Sequence, residues 1–441
     1  MDRDPAPTVR SVFSPFRHAL LTFLGLALVA TALPAEQWSQ YRGPARDGQA
    51  TMLEVPETWP ESLRQVWKVE VGEGHASPVV SGDRIYLMTR QGDDEVVMAL
   101  DLASGRTLWT KSYPTPYDAH SAALRFGKGP RSTPVVAENT VCVLGVDARF
   151  SCHDVEDGRE LWVRDFSDKS APTKTFCGSS ISPLIDDGVV FVHLGDDHAG
   201  RFFAADLRTG EELWGWEGQG PGYASPFLLE IEGKRQLITF ATTDLLSFDP
   251  ASGEVLWSRP YPDKWRENIV TPLVIGERIV ISDFENGTLS LWPKKTTDGW
   301  QVEDHWHNTE LTQRMATPVT DGEVMFGFSD RRKGQLFVLE PATGSVLWEG
   351  EGREGDNAVL AMAGDYLLVT DTEAVLRVLR WDGEALAEVQ RYEIADSATW
   401  AEPGWLDDGL LVKDVRHLSR LALATPPSPE AEASEPATTS D

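Results

Sequence analysis

Five segments of the chain repeat one nine-residue pattern without any change of spacing. They run Asp101–Trp109, Asp154–Trp162, Asp206–Trp214, Asp249–Trp257 and Glu340–Trp348. Each has a glycine four positions after the acid, at Gly105, Gly158, Gly210, Gly253 and Gly344, and Leu-Trp as its last two residues. An apolar strand runs into each acid, as in Val96 to Leu100. The acidic side chain can bond the backbone just ahead and start a turn. Glycine supplies the positive φ that closes a short hairpin loop. Strand side chains alternate, so Leu and Trp face opposite sides of the sheet. Both are large and apolar, which predicts burial on both sides and a tryptophan wedged between neighbouring sheets.

A second signature precedes the repeats. Ser77-Pro78, Thr133-Pro134, Ser182-Pro183, Ser225-Pro226, Thr271-Pro272 and Thr317-Pro318 each open an apolar strand. Proline is tolerated at a strand's first residue. Each unit then reads as four strands, the size of a propeller blade. Later units are degenerate. The fifth loses its acid but keeps Asp298-Gly299 with Trp300 and Trp306 nearby. A seventh runs from about Asn357 to Val389 with Asp382-Gly383 as its turn, and an eighth begins near Thr399 and stops after Leu423 without a Leu-Trp strand. Val66-Trp67 resembles that missing outer strand, so the N-terminal strand is predicted to complete the last blade. Closure removes exposed sheet edges. The fold class is therefore all-β, an eight-bladed β-propeller of four-stranded antiparallel blades, with seven blades as the alternative.

The flanks divide the chain further. Arg3, Arg10 and Arg17 precede an apolar run from Ala19 to Ala30, followed by small residues. That is the layout of a secretory signal peptide. The run is short for a membrane span, with an uncleaved anchor as the alternative. Residues 1–35 are read as the signal, with cleavage after Ala32 or Ala35, 36–62 as an N-terminal extension, 63–424 as the propeller, and 425–441 as a disordered acidic Pro-rich tail. No later stretch is long and apolar enough to span a membrane. A periplasmic or secreted location follows. No cysteine stands directly after the apolar run, so no lipid attachment site is expected. Cys142 and Cys152 would lie opposite each other if Asp147 centres a hairpin; a cross-strand disulfide and two buried thiols both remain open.

The formal net charge of −29 repels phosphate backbones, which argues against a nucleic-acid partner. No phosphate-binding glycine loop or Gly-x-Ser-x-Gly elbow is present. His305 and His307 share one strand face but lack a third metal ligand in the sequence. Asp186, Asp187, Asp196, Asp197 and Asp283 have no spacing that singles out a calcium cage. The long loop from Pro114 to Arg131 holds Tyr117, Asp118, His120, Arg125, Phe126, Lys128 and Arg131, and leads into an inner strand. It should sit at a channel mouth. There His120, Arg125, Lys128 and Arg131 are candidates for binding a carboxylate or phosphate, or for pairing with nearby acids.

The five acid–Gly–Leu-Trp segments resemble the tryptophan-docking repeats of pyrroloquinoline quinone (PQQ)-like β-propellers, over about residues 60–423. Two branches share that repeat: quinoprotein dehydrogenases, which use PQQ with calcium, and the propeller lipoprotein of the outer-membrane β-barrel assembly machinery, which is a scaffold. Residues 37–44 and 127–134 are similar to a bacterial subgroup described only as PQQ-binding-like. The quinoprotein branch implies two adjacent cysteines against the cofactor, and here Cys142, Cys152 and Cys177 are all separated. The expected function is a non-enzymatic binding or scaffold propeller, monomeric, with no cofactor and with a periplasmic or envelope protein partner. A PQQ-dependent dehydrogenase or a small-anion sensor is the alternative. Fold alone does not decide between them.

Overall fold

A computed structural model describes residues 37–117, 120–166 and 176–423. The expected signal, the Pro-rich tail and Asp118 lie outside these residues. The described residues contain eight four-stranded antiparallel sheets and two short 3-10 turns. Blades 1 to 7 span 79–114, 135–165, 184–218, 227–260, 273–308, 319–349 and 358–393, each in simple sequence order. Blade 8 is composite. Its inner three strands are Gly404–Trp405, Gly409–Lys413 and His417–Leu423, and its outer strand is Leu63–Glu70 from the other end of the chain. Leu63 pairs with Leu423 and Glu70 with His417 in an antiparallel register. The ring closes as the sequence predicts, with eight blades rather than seven.

The repeat's physics is visible at each junction. In every docked pair the indole N–H of one blade donates to the backbone carbonyl just after the acid of the next blade. Trp67 reaches Leu102, Trp109 Val155, Trp162 Leu207, Trp214 Pro250, and Trp306 Pro341, at 2.8–3.0 Å. The same ring lies beneath the next blade's turn glycine. A Cβ added at Gly158 would stand 2.4 Å from the Trp109 ring, and Gly158 has φ +68°. Glycine is thus required twice, for the turn and for the approach. The acid does what its position suggests: Asp101 accepts from the Ser104 N–H, Asp206 from Thr209 and Asp249 from Ser252.

Three junctions break the pattern: those of blades 4 and 5, 6 and 7, and 7 and 8. Gly299 turns blade 5 but has no ring near it, so Trp257 donates instead to Gln236 Oε1 within its own blade. Blade 7 carries no acid–Gly turn of this type, and Trp348 packs half-buried against the core between blades 6 and 7. The Leu of the motif departs from expectation. Leu213 is 54% exposed and Leu347 47%, because the outer strand lies on the rim and only its Trp face meets the next blade. Cys142 and Cys152 sit opposite each other across a hairpin of blade 2 and form a disulfide with Cα atoms 4.1 Å apart. No helix among the described residues is long and apolar enough to cross a membrane.

Candidate functional site

The Ser/Thr-Pro signature builds a hydroxyl belt around the central channel. The Thr133 N–H donates to Ser182 Oγ at 3.0 Å, Ser182 to Ser225 at 2.9 Å, Ser225 to Thr271 at 3.2 Å and Thr271 to Thr317 at 3.2 Å. On the far side the Glu402 N–H donates to Ser77 Oγ at 2.9 Å. The inner strands of blades 2 to 5 and of blade 8 each begin beside a neighbour with an amide outside the strand ladder. The next blade's hydroxyl satisfies it, as buried backbone donors require. The sequence reading saw a small residue before proline. The structure needs a hydroxyl, and all six signatures carry Ser or Thr.

One side of the belt is filled by residues 37–50. The Val80 N–H donates to Trp38 O and Val136 to Ser39 O; the Met362 N–H donates to Gly48 O and Ala50 to Met362 O. Two buried arginines complete the crossing. Arg42 donates to the carbonyls of Thr317 and Pro318 at 3.5 and 2.9 Å, and faces Glu402 at 3.8 Å. Arg46 donates to Ser182 O and Pro183 O at 3.0 and 2.8 Å, with its guanidinium over the Tyr41 ring. Both arginines have positive φ, +59° and +58°, a conformation non-glycine residues hold only when their surroundings fix it. This plug touches blades 1, 2, 3, 5, 6, 7 and 8. Burial lowers Arg46 to about 10 and pushes Tyr41 up.

The other side of the belt is a cavity of about 270 Å³. Tyr41, Arg42, Glu402 and the belt hydroxyls lie at its inner end. Its walls come from the loops that lead into the inner strands, with Arg125, Phe126, Arg131, Phe176, Tyr223, Glu267, Arg314 and Trp400 among them. Arg131 donates to Gly127 O and Gly129 O of its own loop at 3.0 and 3.3 Å. The Arg125 guanidinium lies over Phe126, 4.5 Å from the ring centre. Arg314 meets Glu267 at 3.5 Å. His75 bonds Phe126 O at 2.7 Å; burial, then the Arg131 charge, hold it neutral with a pKa lowered to about 4. Burial raises both Glu267 and Glu402, and also Cys177, whose N–H donates to Tyr223.

Of the four residues that the sequence placed at a channel mouth, Arg125 and Arg131 line this cavity. His120 stands off it, with its ring 5.3 Å from that of Phe176, and Lys128 is not among the lining residues. His307 bonds Asn286 O, and His305 lies beside Trp292, so the pair does not converge on one point. No group of three or more His, Cys, Asp or Glu among the described residues is placed to hold a metal. The acids that reach the cavity, Glu267 and Glu402, each face an arginine, so these residues do not fit a calcium-held quinone. Arg42, Arg46, Arg314 and Trp400 were missed from sequence. The string at 37–44 is similar to a known subgroup, but nothing in its spacing says that it enters a ring.

A closed ring of tryptophan-docked blades, sealed on one side by its own N-terminal segment and open on the other, defines a PQQ-like propeller with a plugged channel. The chain belongs to the family described as outer membrane protein assembly factor BamB, which matches residues 58–125, 93–350 and 233–391. It is 27% identical over 222 residues to the BamB of Yersinia pestis, covering 50% of this chain and 51% of that protein. It is 25% identical over 381 residues to the BamB of Bordetella pertussis, covering 80% and 84%. A quinoprotein ethanol dehydrogenase from Pseudomonas putida is 27% identical over 161 residues, 34% of this chain and 25% of the enzyme. Among solved structures, BamB from Moraxella catarrhalis superposes with a TM-score of 0.57 at 16% identity, over 82% of this chain and 97% of that one. A quinohemoprotein alcohol dehydrogenase from Comamonas testosteroni gives 0.64 at 13% identity, over 90% and 82%. Those two likenesses establish the fold.

Proposed function

We propose that the protein is a non-catalytic propeller scaffold on the periplasmic side of the envelope, holding a protein partner through the loops on its open face. The carrying observation is family membership across nearly the whole ring, with the Bordetella pertussis relative matched over 84% of its length. The dehydrogenase relative matches only a quarter of its own length. Residues 1–35 act as the export signal in this reading. Relatives named as outer-membrane assembly factors point to a partner of that machinery. Rigid blades that present many loops on one face suit such a role. The open face also carries Trp265, 59% exposed on the loop between blades 4 and 5.

The test places a photo-crosslinking residue at Trp265, and in a control at Gly233 in a hairpin turn of blade 4. Adducts with an outer-membrane assembly protein from position 265 but not 233 are expected. Absence of such adducts, or alcohol oxidation by the purified protein supplied with PQQ and calcium, would overturn the scaffold reading.

A further inference from the structure

We propose that the cavity on the open side of the belt binds a small organic carboxylate with an aromatic body and a hydroxyl at its far end. The inference goes beyond the scaffold reading and does not rest on it.

Charge points to the anion. The chain carries a net −29, yet three guanidiniums, Arg125, Arg131 and Arg314, converge on this one cavity. Only Arg314 has a carboxylate partner among the described residues, Glu267 at 3.5 Å. Arg131 is aimed by two carbonyls of its own loop, so its guanidinium is positioned before any ligand arrives. A planar guanidinium held this way suits a carboxylate's two oxygens. His75 sits beside Arg131 but stays neutral, bonded to Phe126 O, and adds no competing proton site.

The walls point to the aromatic body. Phe126 meets Trp400 edge-on with centroids 5.3 Å apart, and Trp400 in turn lies 6.2 Å from His75. Flat rings arranged at the sides of a narrow space favour another ring by stacking or edge contact. The volume of about 270 Å³ suits one ring with a short acid chain.

The inner end points to the hydroxyl. Glu402 Oε2 is buried and has no hydrogen-bond partner among the described residues, while Oε1 faces Arg42 at 3.8 Å. A buried acceptor left open in this way is costly unless something donates to it. A ligand entering acid-outward would leave its carboxylate among the three arginines and bring its far end to Glu402.

Calorimetry on the full chain with 4-hydroxyphenylacetate tests this directly. Saturable one-to-one binding is expected. The neutral 4-hydroxyphenylacetamide should bind at least about tenfold more weakly, and phenylacetate, which lacks the hydroxyl, several-fold more weakly. Arg131→Ala and Arg314→Ala should each weaken binding of the acid by about tenfold or more while leaving the amide unchanged. Arg125→Gln, at an arginine with no carboxylate partner among the described residues, gives the same readout if either variant fails to fold. A Gly-Gly-Tyr peptide with a free C-terminus distinguishes the source: binding like the free acid assigns the cavity to chain ends, and exclusion assigns it to free small acids. No saturable binding of any acid at millimolar concentration, or equal binding of acid and amide, overturns the proposal.

Discussion

Blades 1 to 4 and the seam between blades 7 and 8 solve the same packing problem by different means. In the first region each junction is a copy. A tryptophan slides beneath the next turn's glycine and bonds one carbonyl, from Trp67 through Trp214. At the seam the motif has decayed: blade 7 has no Trp in its outer strand, and blade 8 has no turn glycine to receive one. The N-terminal segment fills the gap. Trp59 is buried there, edge-on to Tyr366 at 5.4 Å, and packs with Leu53 and side chains of both blades. The carbonyl of Pro60 accepts from Gln390 and from the Tyr392 hydroxyl at 2.9 and 2.8 Å. The Glu54 N–H donates to Asp407 O of blade 8. The same segment that plugs the channel therefore staples the junction where both the Trp and its receiving glycine are missing. A repeat can lose its motif where a non-repeated segment supplies an equivalent contact.

The largest effect should come from removing residues 37–62 while keeping the outer strand Leu63–Glu70. That deletion takes out the plug and the staple together. Trp38 and Trp59 are each buried and each worth about 3–5 kcal/mol by analogy with other large-to-small core changes. Urea unfolding should show the ring destabilised by more than any single rim substitution. An unaltered midpoint would mean that the docked tryptophans alone hold it closed.

Single substitutions sharpen the contrast. Trp109→Ala, at a docked junction, and Trp59→Ala, at the seam, should each cost about 3–5 kcal/mol. They lie far apart, so the double variant should lose the sum within a few tenths of a kcal/mol. Trp348→Ala should cost less, about 1–2 kcal/mol, because that ring is half-buried and has no turn to dock under. Equal costs at 109 and 348 would show that docking adds nothing to apolar burial.

A pH effect is expected at the docked junction of blades 1 and 2. Glu95 of blade 1 is fully buried and accepts from the Val146 N–H of blade 2 and from the Tyr113 hydroxyl, each at 2.9 Å. Burial raises its pKa to about 7. Because the folded value is raised, its contribution is full below the unfolded value near 4.5 and is lost as pH rises through about 7. The loss amounts to up to about 3 kcal/mol. His75 works in the opposite sense: its folded value is lowered to about 4, so its contribution is present above 6.5 and lost as pH falls. Comparing the wild type with Glu95→Gln removes the His75 part, which both share. The variant should keep more of its stability between pH 5 and pH 8, and parallel melting curves across that range would contradict the assignment.

The sequence by itself pointed to the blades, to a count of eight with seven as the alternative, and to the way the ring closes. Those features rest on contacts repeated at fixed spacing between neighbouring segments: acid to turn, glycine to positive φ, tryptophan to the next blade. Local chemistry repeated five times is legible without coordinates. The sequence also indicated that Arg125 and Arg131 belong near a channel mouth, because their loop runs into an inner strand. Only the tertiary structure decided the rest. The burial of one face of the outer strand and not the other depends on where the strand lies in the ring, which left Leu213 on the rim. Arg314 and Trp400 join Arg125 from loops about 190 and 275 residues further along the chain, a convergence set by ring closure. Arg42 and Arg46 find their partners about 275 and 137 residues away, on carbonyls that every residue type provides. A backbone acceptor leaves no mark in a sequence, so a segment held by such acceptors becomes visible only when the chain has closed around it.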